Sequence, residues 1–233
     1  MINFGLRAAG RVSYGLELVE LQDGDAVQRD GYAIEPVSVS HRLRAFGYVL
    51  YEDQRPGQFD PDTAMRLGLT PGPEFGLLQR GQTVGGVTPD QVLGPARQGR
   101  KLVISGDTAP CDNVRIAAYQ ADLLIHEATF AEEELDRAVE TQHSTAAQAA
   151  TIAREAGVRM LALTHLSTRY PPSVLREEAA AVFDATVLPR DFDTIEIPFP
   201  ERGAPQLIRW KDLQRHPEGR QAELAAEPVP DPA

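Results

Sequence analysis

The sequence has 233 residues and 42% hydrophobic content, which is enough for one domain with a hydrophobic core. Cys111 is the only cysteine, which excludes an internal disulfide framework. No apolar run reaches the about 18 residues of a membrane span, and residues 1–10 lack the apolar core of a signal peptide, so we expect a cytoplasmic protein. Taken alone, the formal charge of −11 argues against a nucleic-acid-binding protein, although a local basic patch can exist within that average.

The first fifty residues predict a β-meander. Residues 12–21 and 32–40 alternate between apolar and polar side chains, and turns are predicted at Asp23-Gly24 and Asp30-Gly31. The alternation resumes at residues 46–50, after a short break that follows His41.

The segment of residues 53–99 is rich in Gly and Pro and predicts a long loop. Asp60-Pro61 is a typical helix start, with Gly68 as its stop, and Thr70-Pro71-Gly72-Pro73 predicts a rigid turn. A loop of this length inside a compact domain is either functional or mobile.

Beyond Lys101, short apolar strands alternate with helices. Strands are predicted at residues 102–104, 123–125 and 161–163, helices at 113–119, 131–139, 145–156 and 174–183, and a closing strand at 194–199. This alternation predicts an α/β fold in which helices cover a sheet. Residues 217–233 lack apolar periodicity and predict a disordered tail.

Ionisable side chains stand at the predicted strand ends. His41, Asp107, His126 and His165 each follow a strand, and His143 comes just before a helix. Carboxyl ends of strands in α/β sheets gather functional groups, and His and Asp suit zinc or manganese. Two such ions could polarise a phosphodiester and lower the pKa of a bound water.

From spacing alone, a structural role is the more frequent explanation for each histidine and an equally good one for Asp107. A His at a strand end is often a hydrogen-bonded structural residue, and Asp107 could cap the following helix. Glu127 could be a solvated acid, Ser144 and Thr145 could be helix caps, and Arg169 and Tyr170 could lie on the surface.

Several short runs in a fixed order resemble the ribonuclease Z family of tRNA 3′-trailer endonucleases, over about residues 12–200. The runs are Ser105-Gly106-Asp107-Thr108, His126-Glu127-Ala128-Thr129, His143-Ser144-Thr145, residues 163–170, residues 37–41 with 45–48, and Pro71-Gly72-Pro73 with residues 81–84.

The resemblance implies a metallo-β-lactamase-type αβ/βα sandwich with two metal ions, normally zinc, with manganese as the alternative. By position, His41 would bind one metal, His165 the other, and Asp107 would bridge them. Glu127 and His143 would form a catalytic pair that handles the proton of the leaving 3′-oxygen.

The resemblance also implies substrate contacts. Ser144 and Thr145 stand at a helix N-terminus suited to a phosphate, and Arg169 could add a charge-assisted contact. Residues 53–99 would form an arm that grips the pre-tRNA, with Pro71-Gly72-Pro73 at its tip, and a homodimer would pair the arm of one subunit with the site of the other.

One part of the family pattern is absent from this sequence. The His-x-His-x-Asp-His motif does not occur, and no His precedes His41. We therefore expect residues 1–200 to form an incomplete metallo-β-lactamase domain without its N-terminal half, followed by a C-terminal extension over residues 201–216. The remaining ligands are too few for two tight zinc sites, so we expect the chain alone to be inactive or impaired. We also expect its sheet to expose an apolar face.

Three other functions stay open. One is another hydrolase or phosphodiesterase of the metallo-β-lactamase fold. A second is a tRNA-binding module without catalysis, using Arg80, Arg97, Arg100 and Lys101, which could equally form a solvated face. A third is a structural partner that completes a site with another polypeptide.

Overall fold

A computed structural model describes Gly15 and residues 18–214, which form one seven-stranded mixed sheet with its strands in chain order. The strands are β1 (Val27–Arg29), β2 (Tyr32–Ser38), β3 (Phe46–Glu52), β4 (Lys101–Ile104), β5 (Leu123–Glu127), β6 (Leu161–Thr164) and β7 (Thr186–Val187). Neighbours from β1 to β4 are antiparallel, and those from β4 to β7 are parallel. The predicted α/β class with a central sheet is confirmed.

Helices cover one face of this sheet and form the main core with it. They are α3 (Asp112–Ala117), α5 (Ala146–Ala156) and α6 (Pro172–Val182). A further helix, α4 (Leu135–Thr141), follows a 3-10 turn at Glu132–Glu134 and contributes none of its described residues to this core. The buried side of α5 consists largely of alanines, which lets it pack closely on α3, α6, β5 and β6. As predicted, α5 starts with a capping box between Thr145 and Gln148 and ends at Gly157 with φ +65°.

The β-meander forms with one change from the sequence prediction. The turns at Asp23-Gly24 and Asp30-Gly31 are present, and β2 and β3 lie where expected. The strand predicted at residues 12–21 falls partly outside the described residues, and residues 18–21 are not in a strand. The strand that pairs with β2 is β1 instead, because the tight Asp30-Gly31 turn places Arg29 opposite Tyr32.

The segment of residues 53–99 is more ordered than a long loop. It contains α1 (Pro61–Arg66), α2 (Pro73–Gln79) and a 3-10 turn at Pro89–Gln91. The Asp60 side chain accepts a bond from the Thr63 backbone N–H and so caps α1 as predicted. The predicted rigid turn leads directly into α2, since Pro73 occupies a first-turn position that needs no N–H.

A small core of its own holds this segment together. Its buried residues are Ala64, Leu69, Leu78, Val87 and Val92. The two ends of the segment meet at the sheet, where Arg55 and Arg97 pair through their backbones. We call residues 53–99 the arm and the paired residues 55 and 97 its stalk. The arm boundaries and the C-terminal divisions stay predictions, and residues 217–233 lie outside the described part.

The predicted closing strand does not join the main sheet. Residues 194–196 form β8 (Thr194–Glu196), which pairs with β9 (Gln206–Ile208) in a separate ladder, followed by α7 (Trp210–Leu213). Pro198 ends the strand because it has no N–H to donate. Ile195 and Ile197 instead pack on the sheet face opposite the helices, against Leu123 and Met160.

That second face is only partly covered. Tyr48 and Ile104 lie opposite each other in β3 and β4, and both side chains are more than two fifths exposed. Apolar side chains are thus left accessible there, as the sequence led us to expect. No helix in the described part is long and apolar enough to cross a bilayer.

Candidate metal centre

Ionisable side chains from distant parts of the chain converge at one edge of the sheet. Asp107 and His165 follow β4 and β6, while Glu127 is the last residue of β5, and these parallel strands end at the same edge. Donor atoms of Asp107, His143 and His165 lie within 4.8 Å of one another. The Asp107 carboxylate and the Nε2 of His165 are 3.6 Å apart.

A row of three imidazole rings crosses this edge. The His143 ring stacks on His165 with centroids 5.3 Å apart, and His41 lies edge-on to it at 5.1 Å. His41 therefore adjoins the compact group of three without belonging to it. The sequence motifs placed His41 with Asp107 and His165, whereas the side-chain distances place His143 with them.

Left-handed backbone conformations aim these side chains. Gly106, just before Asp107, has φ +63°, and a Cβ there would lie 3.1 Å from the Phe46 carbonyl oxygen. Gln142, just before His143, has φ +58°, and His165 itself has φ +51°. Non-glycine residues seldom adopt this conformation, and such strained positions cluster at functional sites.

Glu127 is the centre of the hydrogen-bond network behind the histidines. Its carboxylate is fully buried, so it is not the solvated acid that spacing alone allowed. One oxygen accepts from the Thr108 backbone N–H at 2.8 Å and lies 2.7 Å from His143 Nδ1. The other accepts from the Thr129 N–H at 3.2 Å and its hydroxyl at 2.6 Å. Four donor groups, on Thr108, Thr129 and His143, thus fix both oxygens.

These bonds determine which nitrogen of each ring carries a proton. The carboxylate of Glu127 only accepts, so His143 Nδ1 is protonated, and the neutral ring has its lone pair on Nε2. The Thr129 hydroxyl gives its one proton to Glu127 and therefore accepts from His165 Nδ1 at 2.7 Å. His165 thus also presents an Nε2 lone pair, on the side of Asp107.

His41 is held in the same manner, because its Nδ1 lies 3.1 Å from the Gln142 carbonyl oxygen. All three rings are anchored through Nδ1, which leaves Nε2 to act as a ligand, with Asp107 beside them. An imidazole set by a carboxylate or carbonyl behind it is the usual arrangement around a bound metal. Asp107, His143 and His165 therefore fit zinc or manganese in donor type and spacing, and His41 fits in donor type.

His126 has a different environment. It is fully buried, its Nδ1 donates to the Glu127 carbonyl oxygen at 2.7 Å, and its Nε2 has no hydrogen-bond partner among the described residues. Burial lowers its pKa, since a charged imidazole would lose its hydration. It is not part of the metal-ligand group.

The expected substrate-binding residues occupy varied positions. The Ser144 and Thr145 side chains are fully buried and bond to the Thr108 carbonyl oxygen and to Glu132, respectively. Arg169 is exposed, beside His143, and pairs with Glu134 at 3.3 Å. Pro71-Gly72-Pro73 is exposed at the start of α2 in the arm. The substrate roles of these residues stay predictions.

The basic residues near the stalk are largely engaged in ion pairs. Arg97 pairs with Glu201 at 2.8 Å, and Arg100 pairs with Glu52 at 2.5 Å. The Lys101 ammonium donates to the Tyr119 carbonyl oxygen. These contacts reduce the charge available for phosphates at this surface.

Thr129 and Thr108 had no role predicted from the sequence. Thr129 joins Glu127 to His165, and Thr108 donates to Glu127 while its hydroxyl accepts from the Ser40 N–H at 3.1 Å. Both belong to the runs that carry the resemblance, but no spacing rule distinguishes a hydroxyl that bridges two site residues from one that caps a turn.

Comparison with known proteins identifies close relatives in sequence. The ribonuclease Z of Myxococcus xanthus is 51% identical over 195 residues, which cover 80% of this chain and 64% of the relative. The ribonuclease Z of Archaeoglobus fulgidus is 42% identical over 198 residues, 82% of this chain and 65% of the relative. No family model matches the chain. The chain spans somewhat less than two thirds of the length of these relatives.

Similar solved structures include the metallo-β-lactamase fold protein YhfI from Bacillus subtilis, at TM-score 0.49 and 20% identity over 73% of this chain and 51% of that one. Human tRNase Z, short form, has TM-score 0.46 and 25% identity over 74% of this chain and 46% of that one. The resemblance stated from the motifs is confirmed by the sequence relatives: over about 64% of their length, this chain is a homologue of the ribonuclease Z proteins.

Proposed function

We propose that this chain carries part of the active site of an endoribonuclease that removes the 3′ trailer from pre-tRNA by metal-dependent phosphodiester hydrolysis. The observation that carries the proposal is the convergence of Asp107, His143 and His165 in front of the buried Glu127. Homology to ribonuclease Z proteins supports the substrate class.

In this proposal, His41, Asp107 and His165 hold zinc, or manganese in its place. The bound metal would polarise the phosphodiester and lower the pKa of a water. Asp107 has two oxygens to share, and it lies 3.6 Å from His165, which suits ligands of one ion with bonds of about 2.0–2.2 Å. Thr129 and Gln142 keep the Nε2 lone pairs of His165 and His41 free to bind.

His143 and Glu127 form the proton-transfer pair. With Nδ1–H bonded to the Glu127 carboxylate, a protonated His143 carries its second proton on Nε2, facing the metal ligands. That proton passes to the leaving 3′-oxygen as a water oxygen bonds to phosphorus and the P–O bond to the 3′-oxygen breaks. The attacking water releases its own proton to solvent, and the neutral ring stays bonded to Glu127. The buried carboxylate keeps the orientation of the ring before and after the transfer.

A different role for His143 follows from its place in the group of three, since it could be a metal ligand itself. The two roles differ in one measurement. If His143 is the proton donor, His143→Ala keeps zinc bound and loses cleavage. If it is a ligand, the same change loses both.

The substrate contacts and the assembly of the protein complete the proposal. The arm, with its exposed Pro71-Gly72-Pro73 and separate core, contacts the pre-tRNA, and a homodimer supplies the arm of one subunit to the site of the other. The single free cysteine, Cys111, suits the reducing cytoplasm.

Zinc titration and a pre-tRNA cleavage assay test the proposal together. We expect the chain to bind zinc and to cleave pre-tRNA slowly at the trailer junction with added zinc or manganese. Asp107→Asn should abolish both, while the exposed Asp112→Asn, outside the site, serves as the matched control. Failure to bind zinc, or cleavage that survives Asp107→Asn, would rule the proposal out.

A further inference from the structure

A cavity adjoins the candidate metal centre at His143. It has a volume of about 350 Å³ and lies between the turn after β5, the helix α4 and the loop after β6. Its lining includes Arg137, Thr141, His143, Ser167 and Arg169. His143 is therefore a shared wall between this cavity and the metal-ligand group.

The charge of this cavity differs from that of the rest of the molecule. Two arginines and several hydroxyl groups line it, and none of its lining residues is acidic. Four other cavities in the described part each include at least one carboxylate. In a chain of net charge −11, a cavity lined by cations and hydroxyls beside the candidate site favours an anion.

The two arginines are not equivalent. Arg169 already pairs with Glu134, whose other partner is the Tyr170 hydroxyl. Arg137 is exposed, and its guanidinium forms no ion pair within 4.0 Å among the described residues, so its attraction to Glu134 acts over a longer distance than that of Arg169. The Thr141 hydroxyl bonds to the Arg137 carbonyl oxygen at 2.7 Å and steadies this turn of α4.

We propose that Arg137 binds a phosphate of the RNA backbone next to the phosphodiester that is cleaved. This inference rests on the proposed function, because it takes the cleaved phosphate to lie at Asp107, His143 and His165. An RNA strand carries one negative charge per nucleotide, so a strand held at the metal centre places further phosphates nearby. A guanidinium without a carboxylate partner can donate two parallel bonds to such a phosphate.

The salt dependence of pre-tRNA binding tests this role. Each phosphate contact adds about 0.7–0.9 to the slope of log affinity against log salt. We expect Arg137→Gln to weaken binding about tenfold at low salt and to lower that slope by about one contact, whatever the trailer sequence. Arg137→Lys should restore the slope, since it keeps the charge. Arg176→Gln is the matched control, because Arg176 is exposed on α6 and does not line the cavity.

Further measurements on the same variants separate the inference from the proposed function. Zinc affinity and melting temperature should be unchanged in Arg137→Gln. Unchanged values would show that the fold and the metal ligands are intact. If the wild type binds and cleaves pre-tRNA but Arg137→Gln behaves like Arg176→Gln, the Arg137 site is disproved and the proposed function stands. If the wild type neither binds pre-tRNA nor cleaves it, both fail.

Discussion

Replacing Glu127 by Gln tests the network behind the histidines with little change in side-chain volume. Glu127 is fully buried and accepts from Thr108, Thr129 and His143. The amide oxygen of Gln can still accept from Thr108 and His143. Its NH₂ group then faces the Thr129 N–H and hydroxyl, which both donated to the carboxylate.

The expected losses of stability and metal affinity follow from the hydrogen bonds that change. The Thr129 hydroxyl can turn and accept from the new amide, but its backbone N–H loses its acceptor. One unsatisfied N–H, together with bonds that are no longer charge-assisted, lowers the free energy of unfolding by about 2–3 kcal/mol. A turned hydroxyl also donates towards His165, which moves the ring proton to Nε2, where the metal should bind. Loss of such a supporting partner lowers metal affinity by about 10–100-fold.

Urea unfolding in a chelating buffer measures the first effect, and competition with a zinc indicator measures the second. The control is Glu177→Gln, which removes an exposed carboxylate from α6. Stability within about 0.5 kcal/mol of the control, combined with unchanged zinc affinity, would refute the assignment of Glu127 as the residue that orients both histidines.

Three further predictions concern the arm, a buried histidine and the stalk. Leu78 is fully buried in the arm's own core, so Leu78→Ala should lower the free energy of unfolding of the arm by about 2–5 kcal/mol. Amide hydrogen exchange should then become faster within the arm but not in β5. An equal increase in both would contradict a separately packed arm. Because burial lowers the pKa of His126, its neutral form stabilises the fold above the unfolded value of about 6.5, and this stability is lost as the pH falls below it. His126→Asn should thus show a flatter fall in melting temperature from pH 7 to 5 than the wild type, and parallel curves would count against the idea. Glu201 bonds to Arg55 and Arg97 across the stalk, and the bond from Arg55 is the main cause that lowers the pKa of Glu201 to about 2. Glu201→Gln should speed amide hydrogen exchange at the stalk. In the wild type, Glu201 stays ionised between pH 7 and 5, so the exchange rate there, corrected for intrinsic exchange, should not change over this range.

Local patterns in the sequence predicted much of the fold. The strands β4, β5 and β6 and the helices between them were foreseen because apolar runs and caps such as Thr145 are encoded by neighbouring residues. The strands β1, β7 and β9 and the helix α2 were missed, since all four are short and depend on contacts beyond themselves. Pairing with β2 makes residues 27–29 a strand, and packing of Leu78 in the arm core supports residues 73–79 as a helix.

The sequence by itself determined which residue types stand at the strand ends and which family the motifs resemble. The tertiary structure alone decided that Glu127 is buried behind two imidazoles, that His143 lies closer to Asp107 and His165 than His41 does, and that Arg137 faces a cavity without acids. The physical reason is that hydrogen bonds and electrostatic fields depend on distances in space. These distances join residues that are far apart in the chain, and no local spacing encodes them.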